Sequence, residues 1–325
     1  MKNILIILLL FISITFSMQI EDLEKDRINH AIDQMYKENF AVTESIFFKI
    51  RDKYPDHPIG DFMMGTYYNY LAVFYETDKF DSKIAIYYRN SENKARFHID
   101  HGNNDPWFKF YLGASLVNKG YLLGRNKSYF SGFRHTSNGI GYIEDSVKEN
   151  KNIGDGLLLL GSYTYYKSSL LSWIFDKRKS GIAMLKKSID TSYFSKYLAI
   201  STLGWVYIDY EKFEEAEDTA DLALKEYPDS HFFIFIKARA LFEQKKYALA
   251  IDHYQDIINK IMKMYERYSN VDLFNSYYFL AVSFKNLGNQ VKARSYYDLA
   301  KNCELTVNEK DRLEDRLDDL EDLFE

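Results

Sequence analysis

The feature that most restricts the fold is a spaced set of small and aromatic residues that returns every few tens of residues. In "YLAISTLGWVYIDYEKFEEAEDTADLALKEYPDS", from Tyr197 to Ser230, the residues Leu203, Gly204, Tyr207, Phe213, Ala216, Ala220, Ala223, Leu224 and Pro228 stand at positions 7, 8, 11, 17, 20, 24, 27, 28 and 32. Moving 34 residues on finds Ala238, Leu241, Tyr247, Ala250, Tyr254 and Ile257 at the equivalent places, and a further 43 finds Ala281, Phe284, Ala293, Tyr297 and Ala300. Intervals of three, four and seven place side chains on one helix face. A repeat of this length holds two helices, and one such pair cannot bury its own apolar face, so several must stack.

This pattern closely resembles the tetratricopeptide repeat, a 34-residue helix-turn-helix unit, and the resemblance is strongest over 197–303. It implies that Gly204 and Ala216 are small where the two helices of a unit approach, that Tyr207 and Phe213 fill the remaining gap, and that Pro228 stops the second helix. Toward the N-terminus, "MMGTYYNYL", "FYLGASLVNKG" and "LLLLGSYTYY" place Gly65, Gly113 and Gly161 at steps of 48 residues, with a first unit around Ala31, Phe40, Phe47 and Pro55. The middle units are therefore longer than the standard repeat. "NGIGYIEDSV" and "SGIAMLKKSI", 42 residues apart, share a Gly-Ile-small element, read here as two turns that mark close helix crossings. The expected fold is all-α, a superhelical solenoid of about seven tetratricopeptide-like helix pairs over 18–305. In the following acidic stretch, 306–325, Leu313, Leu317, Leu320 and Phe324 fall on one helical face, which predicts a single capping helix.

Composition supports helices rather than strands: 4 prolines and 15 glycines are too few for a turn-rich sandwich. The 28 tyrosines and 24 phenylalanines exceed what an ordinary core needs and can serve helix packing or a binding surface. Of the net charge of −5, the segment 309–325 alone carries −6, so the body is nearly neutral. That argues against a nucleic-acid partner, which requires a basic stripe.

The N-terminus, "MKNILIILLLFISITFSMQIED", has Lys2, then nine apolar residues from Ile4 to Ile12, then small residues Thr15 and Ser17. This is the layout of a secretory signal peptide over 1–17, cleaved near Met18, and it places the protein in a periplasm or outside the cell. The competing reading is an uncleaved anchor that tethers it. "GLLLLGSYTYYKSSLLSWIF", from Gly156 to Phe175, contains Lys167 and several hydroxyl residues between Asp155 and Asp176, and so belongs inside the protein rather than in a bilayer. Cys303, the single cysteine, has no internal disulfide partner.

No motif for catalysis, a cofactor or a metal emerges. His98 and His101 in "RFHIDHGNND", with Asp100 and Asp105, are the best metal candidate, but no HExxH or CxxC spacing supplies further ligands. The serines of "KSSLLSW" lack elbow glycines, and Glu214 and Glu215 occupy a repeat turn where charge is ordinary solvation.

The resemblance implies a ligand groove on the concave side, formed by the first helix of each unit at positions 2, 5, 9, 12 and 13. Carried onto this chain, those positions include Trp107 and Phe110, Tyr165 and Tyr166, Trp205, and Phe235 with Arg239. The groove is aromatic and lightly charged, and it lacks the two-unit basic and asparagine clamp of the family's chaperone-tail binders, since Arg239 and Asn118 lie in distant units. The function implied is a non-catalytic scaffold that holds a protein or peptide. Two alternatives stay open: a carrier with a small apolar ligand between repeats, and an enzyme centred near His98 and His101. Homo-oligomers stay open too, because exposed repeat ends can stack.

Overall fold

A computed structural model describes residues 19–171, 173, 176–264 and 269–324, so the expected leader, 1–17, lies outside the described residues. Seven antiparallel helix pairs follow one another. They are α1 (Ile20–Tyr36) with α2 (Phe40–Lys53), α3 (Pro58–Phe74) with α4 (Asp81–Asp100), and α5 (Pro106–Arg125) with α6 (Tyr129–Glu149). Next come α7 (Asp155–Leu170) with α8 (Arg178–Thr191), α9 (Lys196–Asp209) with α10 (Phe213–Leu224), α11 (His231–Glu243) with α12 (Tyr247–Lys263), and α13 (Val271–Asn286) with α14 (Gln290–Lys301). The fold is the all-α array of tetratricopeptide-like pairs that the repeat predicts. Among the described residues no helix is long and apolar enough to cross a membrane.

The longer middle units are longer because their helices are: α4, α5 and α6 run to 20, 20 and 21 residues, whereas α9 and α10 have 14 and 12. Such long hairpins need close contact over several turns. A Cβ added to Gly139 would lie 2.5 Å from the Gly113 carbonyl oxygen, and one on Gly132 would lie 2.8 Å from that of Gly120. In the fourth pair, a Cβ on Gly181 would meet the Gly161 oxygen at 2.7 Å. The two Gly-Ile-small elements thus mark close crossings, but they sit inside α6 and α8 and not in turns. Gly204 has a different neighbour from the one expected: a Cβ there would strike Ile236 of α11 at 2.8 Å, so the next pair, not Ala216, keeps it small.

Six of the seven within-pair turns end their first helix in the same way. Glu38, Glu76, Lys127, Glu211, Lys245 and Gly288 all take positive φ, between 48° and 77°. In each, the amide of the left-handed residue and the next amide bond back to the second-last and third-last helical carbonyls, as in Glu38 to Met35 (3.1 Å) and Asn39 to Gln34 (2.8 Å). This is the Schellman arrangement, ordinarily built on glycine. Five of these six positions carry a long charged side chain instead.

The acidic C-terminal stretch forms two short helices, α15 (Val307–Arg312) and α16 (Glu314–Glu321), with a break at Leu313 instead of the single helix expected. Thr306 and Glu309 cap α15 reciprocally. Leu313 and Leu320 are buried against Phe274, Ala281 and Tyr297 of the last pair, with Leu317 and Phe324 partly buried beside them.

The stack does not stay open. The Tyr36 ring, at the end of α1, lies 5.3–5.5 Å from the rings of Tyr70, Tyr197, Tyr227 and Phe233, so the first pair meets the fifth and sixth across the concave side. Tyr227 donates to Asp33 at 3.4 Å, and His231 lies 3.3 Å from Glu38. At the other end, Arg312 reaches the Glu76 carboxylate at 3.3 Å and its carbonyl at 3.1 Å, and Lys127 pairs with Asp311 at 3.0 Å.

The glycine crossings give a paired test. Gly139→Ala must push α5 and α6 apart and should lower unfolding free energy by about 1–3 kcal/mol. Gly141→Ala, two residues away with open space around it, should raise it by about 0.5–1 kcal/mol. Urea denaturation of the two variants decides the matter; equal effects would show that the crossing is not close.

Candidate binding chamber

Because the array closes, its concave side is reduced to two adjoining cavities that share Val73 and Phe232 as walls. The first is a chamber of about 360 Å³. Trp205 of α9 and Phe235 and Arg239 of α11 line it on one side, and Asp272 and Asn275 of α13 on another. Glu76 and the tail residues Arg312 and Arg316 complete it. One-turn spacing along α11 brings Phe235 and Arg239 onto the same face.

Three guanidinium groups serve this chamber. Arg239 and Arg316 stand over the same Phe279 ring, at 4.7 and 5.3 Å. Arg239 is paired with Glu243 at 2.6 Å, Arg316 donates to the Asn275 side-chain oxygen, and Arg312 holds Glu76. Burial, and then the like charge of Arg239, holds Arg316 below the usual arginine range. The carboxyl groups move the opposite way. Burial pushes Glu76 up despite Arg312 and Arg125, and burial together with the Glu76 charge pushes Asp272 well up. Three arginines against two carboxylates, Glu76 and Asp272, leave the chamber lining more cationic than anionic, so an entering carboxylate meets guanidinium donors beside an aromatic wall.

The second part is an apolar pocket of about 170 Å³, walled by Met63, Phe62, Tyr70, Leu158, Leu198 and Phe232 among others. The first helices of six pairs contribute to it, α1, α3, α5, α7, α9 and α11. Asn69, Asn118, Asp155 and Ser195 add polar groups to its lining, and the Tyr70 hydroxyl there is buried with no hydrogen-bond partner among the described residues.

The seven groove residues expected from the sequence do not form one surface. Trp205, Phe235 and Arg239 meet at the chamber. Trp107 is 1% exposed, with its indole N–H donated to Gln19 at 3.1 Å, so α1 and its flank cover it. Phe110 is buried and only edges the apolar pocket. Tyr165 is fully buried: Gly181 lets α8 come down on it, and its hydroxyl donates to Asp209 at 2.6 Å. Tyr166 stays 45% exposed, edge-on to Tyr165, and lines neither cavity. The charged half of the chamber, Glu76, Asp272, Arg312 and Arg316, comes from a turn, the last pair and the tail, where the repeat positions give no signal.

His98 stacks flat on Phe108 at 4.3 Å and bonds the Asp56 carbonyl at 3.1 Å, while His101 bonds its own helix at the Phe97 carbonyl. Among the described residues no three His, Cys, Asp or Glu side chains gather as a metal site.

The seat of α1 carries an ionisable pair. Glu21 is 1% exposed, accepts from the Tyr111 hydroxyl at 2.8 Å, and lies 3.7 Å from the buried His57 ring. Burial pushes Glu21 up to about 7 and His57 down to about 3, so both are neutral between these values.

No protein-family profile and no curated protein matches this chain. Among solved structures, the C-terminal part of a TPR repeat-containing protein from Cytophaga hutchinsonii is 18% identical, with 88% of this chain and 99% of that one covered and a TM-score of 0.48. PilW, described as a type IV pilus biogenesis factor, is 12% identical over 91% of this chain and 99% of its own, with a TM-score of 0.41. A human IFIT1 dimer with PPP-AAAA is 13% identical over 90% of this chain and 74% of its own, with a TM-score of 0.49. The architecture given above rests on this chain's own seven helix pairs.

A raised carboxyl pKa stabilises the fold below the unfolded value and loses that contribution as pH rises through the folded one. For Glu21 the loss runs from about pH 4.5 to about 7. Glu21→Gln should therefore match the parent in stability at pH 4 and exceed it by about 3 kcal/mol at pH 8. Denaturant midpoints at the two pH values test this; a difference that does not grow with pH would sink it.

Proposed function

We propose that the protein is an exported, non-catalytic binding protein that holds a short segment of a protein or peptide partner in the chamber between Trp205, Phe235 and Arg239. The observation that carries this reading is the convergence of those three side chains on one open cavity beside Arg316. An apolar or aromatic side chain of the partner lies against the Trp205 and Phe235 wall, and a carboxylate, either acidic or C-terminal, meets Arg239 and Arg316. The closure by α1 and the tail restricts the guest to a segment, since a long extended chain has no open groove to follow. Glu76, Asp272 and Glu243 interrupt the cationic surface, which favours a carboxylate over the continuous phosphate backbone of a nucleic acid. Export rests on the leader pattern of 1–17 and a periplasmic or extracellular setting on export, with a tether through that segment as the alternative.

The apolar pocket supports a second reading, a carrier of a small apolar ligand, because mostly apolar walls from six pairs and the unpartnered Tyr70 hydroxyl fit an apolar guest that carries a polar atom.

A photo-crosslinking residue in place of Trp205, with another at Leu222 on an exposed helix face as control, separates these readings. Polypeptide adducts at 205, absent at 222 and reduced at least about tenfold by Arg239→Ala, are the expected result. Adducts at 222 alone would reject the chamber. A small apolar molecule that co-purifies, and is displaced by Leu198→Trp, would move the assignment to the carrier.

A further inference from the structure

We propose that the tips of the two middle hairpins, α5–α6 and α7–α8, dock on an anionic lipid bilayer. Both tips lie on the same edge of the array, since every first helix ends there and every second helix begins there. Four large apolar side chains project from them into solvent: Phe130 at 82% exposure, Phe133 at 61%, Leu170 at 81% and Trp173 at 82%. The other two tryptophans, Trp107 and Trp205, are 1% and 36% exposed.

Charge identifies the occupant. The segments 125–134 and 167–179 hold seven basic residues against one acid, Asp176, in a chain whose net charge is −5. Arg125, Lys127 and Arg178 pair with Asp81, Asp311 and Asp176, while Arg134, Lys167, Lys177 and Lys179 make no ion pair among the described residues. The neighbouring turns on that edge are acidic, with Glu76, Asp78 and Asp81 on one side and Asp209, Glu211, Glu214 and Glu215 on the other. Asp81 and the tail's Asp311 offset Arg125 and Lys127 at the α5–α6 tip, so the uncompensated positive charge is densest at α7–α8, where Lys167, Lys177 and Lys179 bracket Leu170 and Trp173 in sequence.

A cavity of about 540 Å³ lies beside the α5–α6 tip, between Arg125, Lys127 and the tail, but none of the four apolar side chains lines it or any other described cavity. A bilayer interface needs no cavity: aromatic rings rest at the headgroup level, leucine enters the acyl boundary, and lysine stems keep their ammonium groups at the phosphates. Cations near an anionic leaflet add attraction that salt weakens.

The test uses the chain from Met18 onward, so that the apolar leader contributes no binding. Vesicles of about one-third phosphatidylserine in phosphatidylcholine should sediment the protein at low salt, about tenfold more than phosphatidylcholine alone, and the difference should fall as salt rises. In a Trp205→Phe background the emission of Trp173 should shift to the blue on binding. Phe130→Ser with Phe133→Ser, and separately Lys177→Glu with Lys179→Glu, should each reduce binding about tenfold at unchanged circular dichroism. Absence of sedimentation at low salt overturns the proposal, as does binding that neither variant weakens. Lipid-free dimers that both variants dissolve would assign the tips to a second copy of the chain, and the proposal would fall.

Discussion

One ring governs the arrangement. Tyr36 is inserted between Tyr70 of the second pair and Tyr197, Tyr227 and Phe233 of the fifth and sixth, and these contacts convert a stack held only by nearest neighbours into a closed one. In an open solenoid each pair touches only its neighbours, and a concave surface of any length is available to a ligand. Here the first pair occupies part of that surface itself. Trp107 and Tyr111 become the bed for the start of α1 through Gln19 and Glu21, and what remains for a guest is a chamber and a pocket.

The same closure explains why local pattern found the fold and only part of the site. The seven pairs were legible because small residues at helical spacing are needed wherever helices approach, and that need is local: Gly113, Gly161 and Ala216 all sit at such contacts. Curvature is not local. It accumulates from small rotations between successive pairs, and no single residue encodes where the end will meet the beginning. Positions that face solvent in an open groove were therefore assigned to ligand at Trp107 and Tyr165, although the chain fills those places itself. Trp205, Phe235 and Arg239 lie beyond the reach of α1, and for them the positional reading and the chamber coincide.

The charged half of the chamber was invisible for another reason. Helical spacing marks the leucines of 306–325 as a cap but gives no signal for Arg312 and Arg316, which lie in a stretch dominated by acids. Only tertiary contact separates its two roles: leucines and Phe324 cover the last pair, while the arginines turn inward to Glu76 and Asn275. Burial then raises the carboxyl groups that face them, and the balance of charge in the chamber becomes a property of the fold rather than of the sequence count.

The left-handed turn residues have a wider meaning in this light. Glu38, Glu76 and Lys127 hold a conformation that glycine would adopt with less strain, yet their side chains are the ones that reach His231, Arg312 and Asp311 across the closure. Each partner is fixed by how many pairs intervene. Insertion of one further unit between the third pair and the fifth would carry all three partners out of reach and withdraw Tyr197, Tyr227 and Phe233 from Tyr36. The number of pairs is thereby a conserved quantity of this architecture, set by its own circumference.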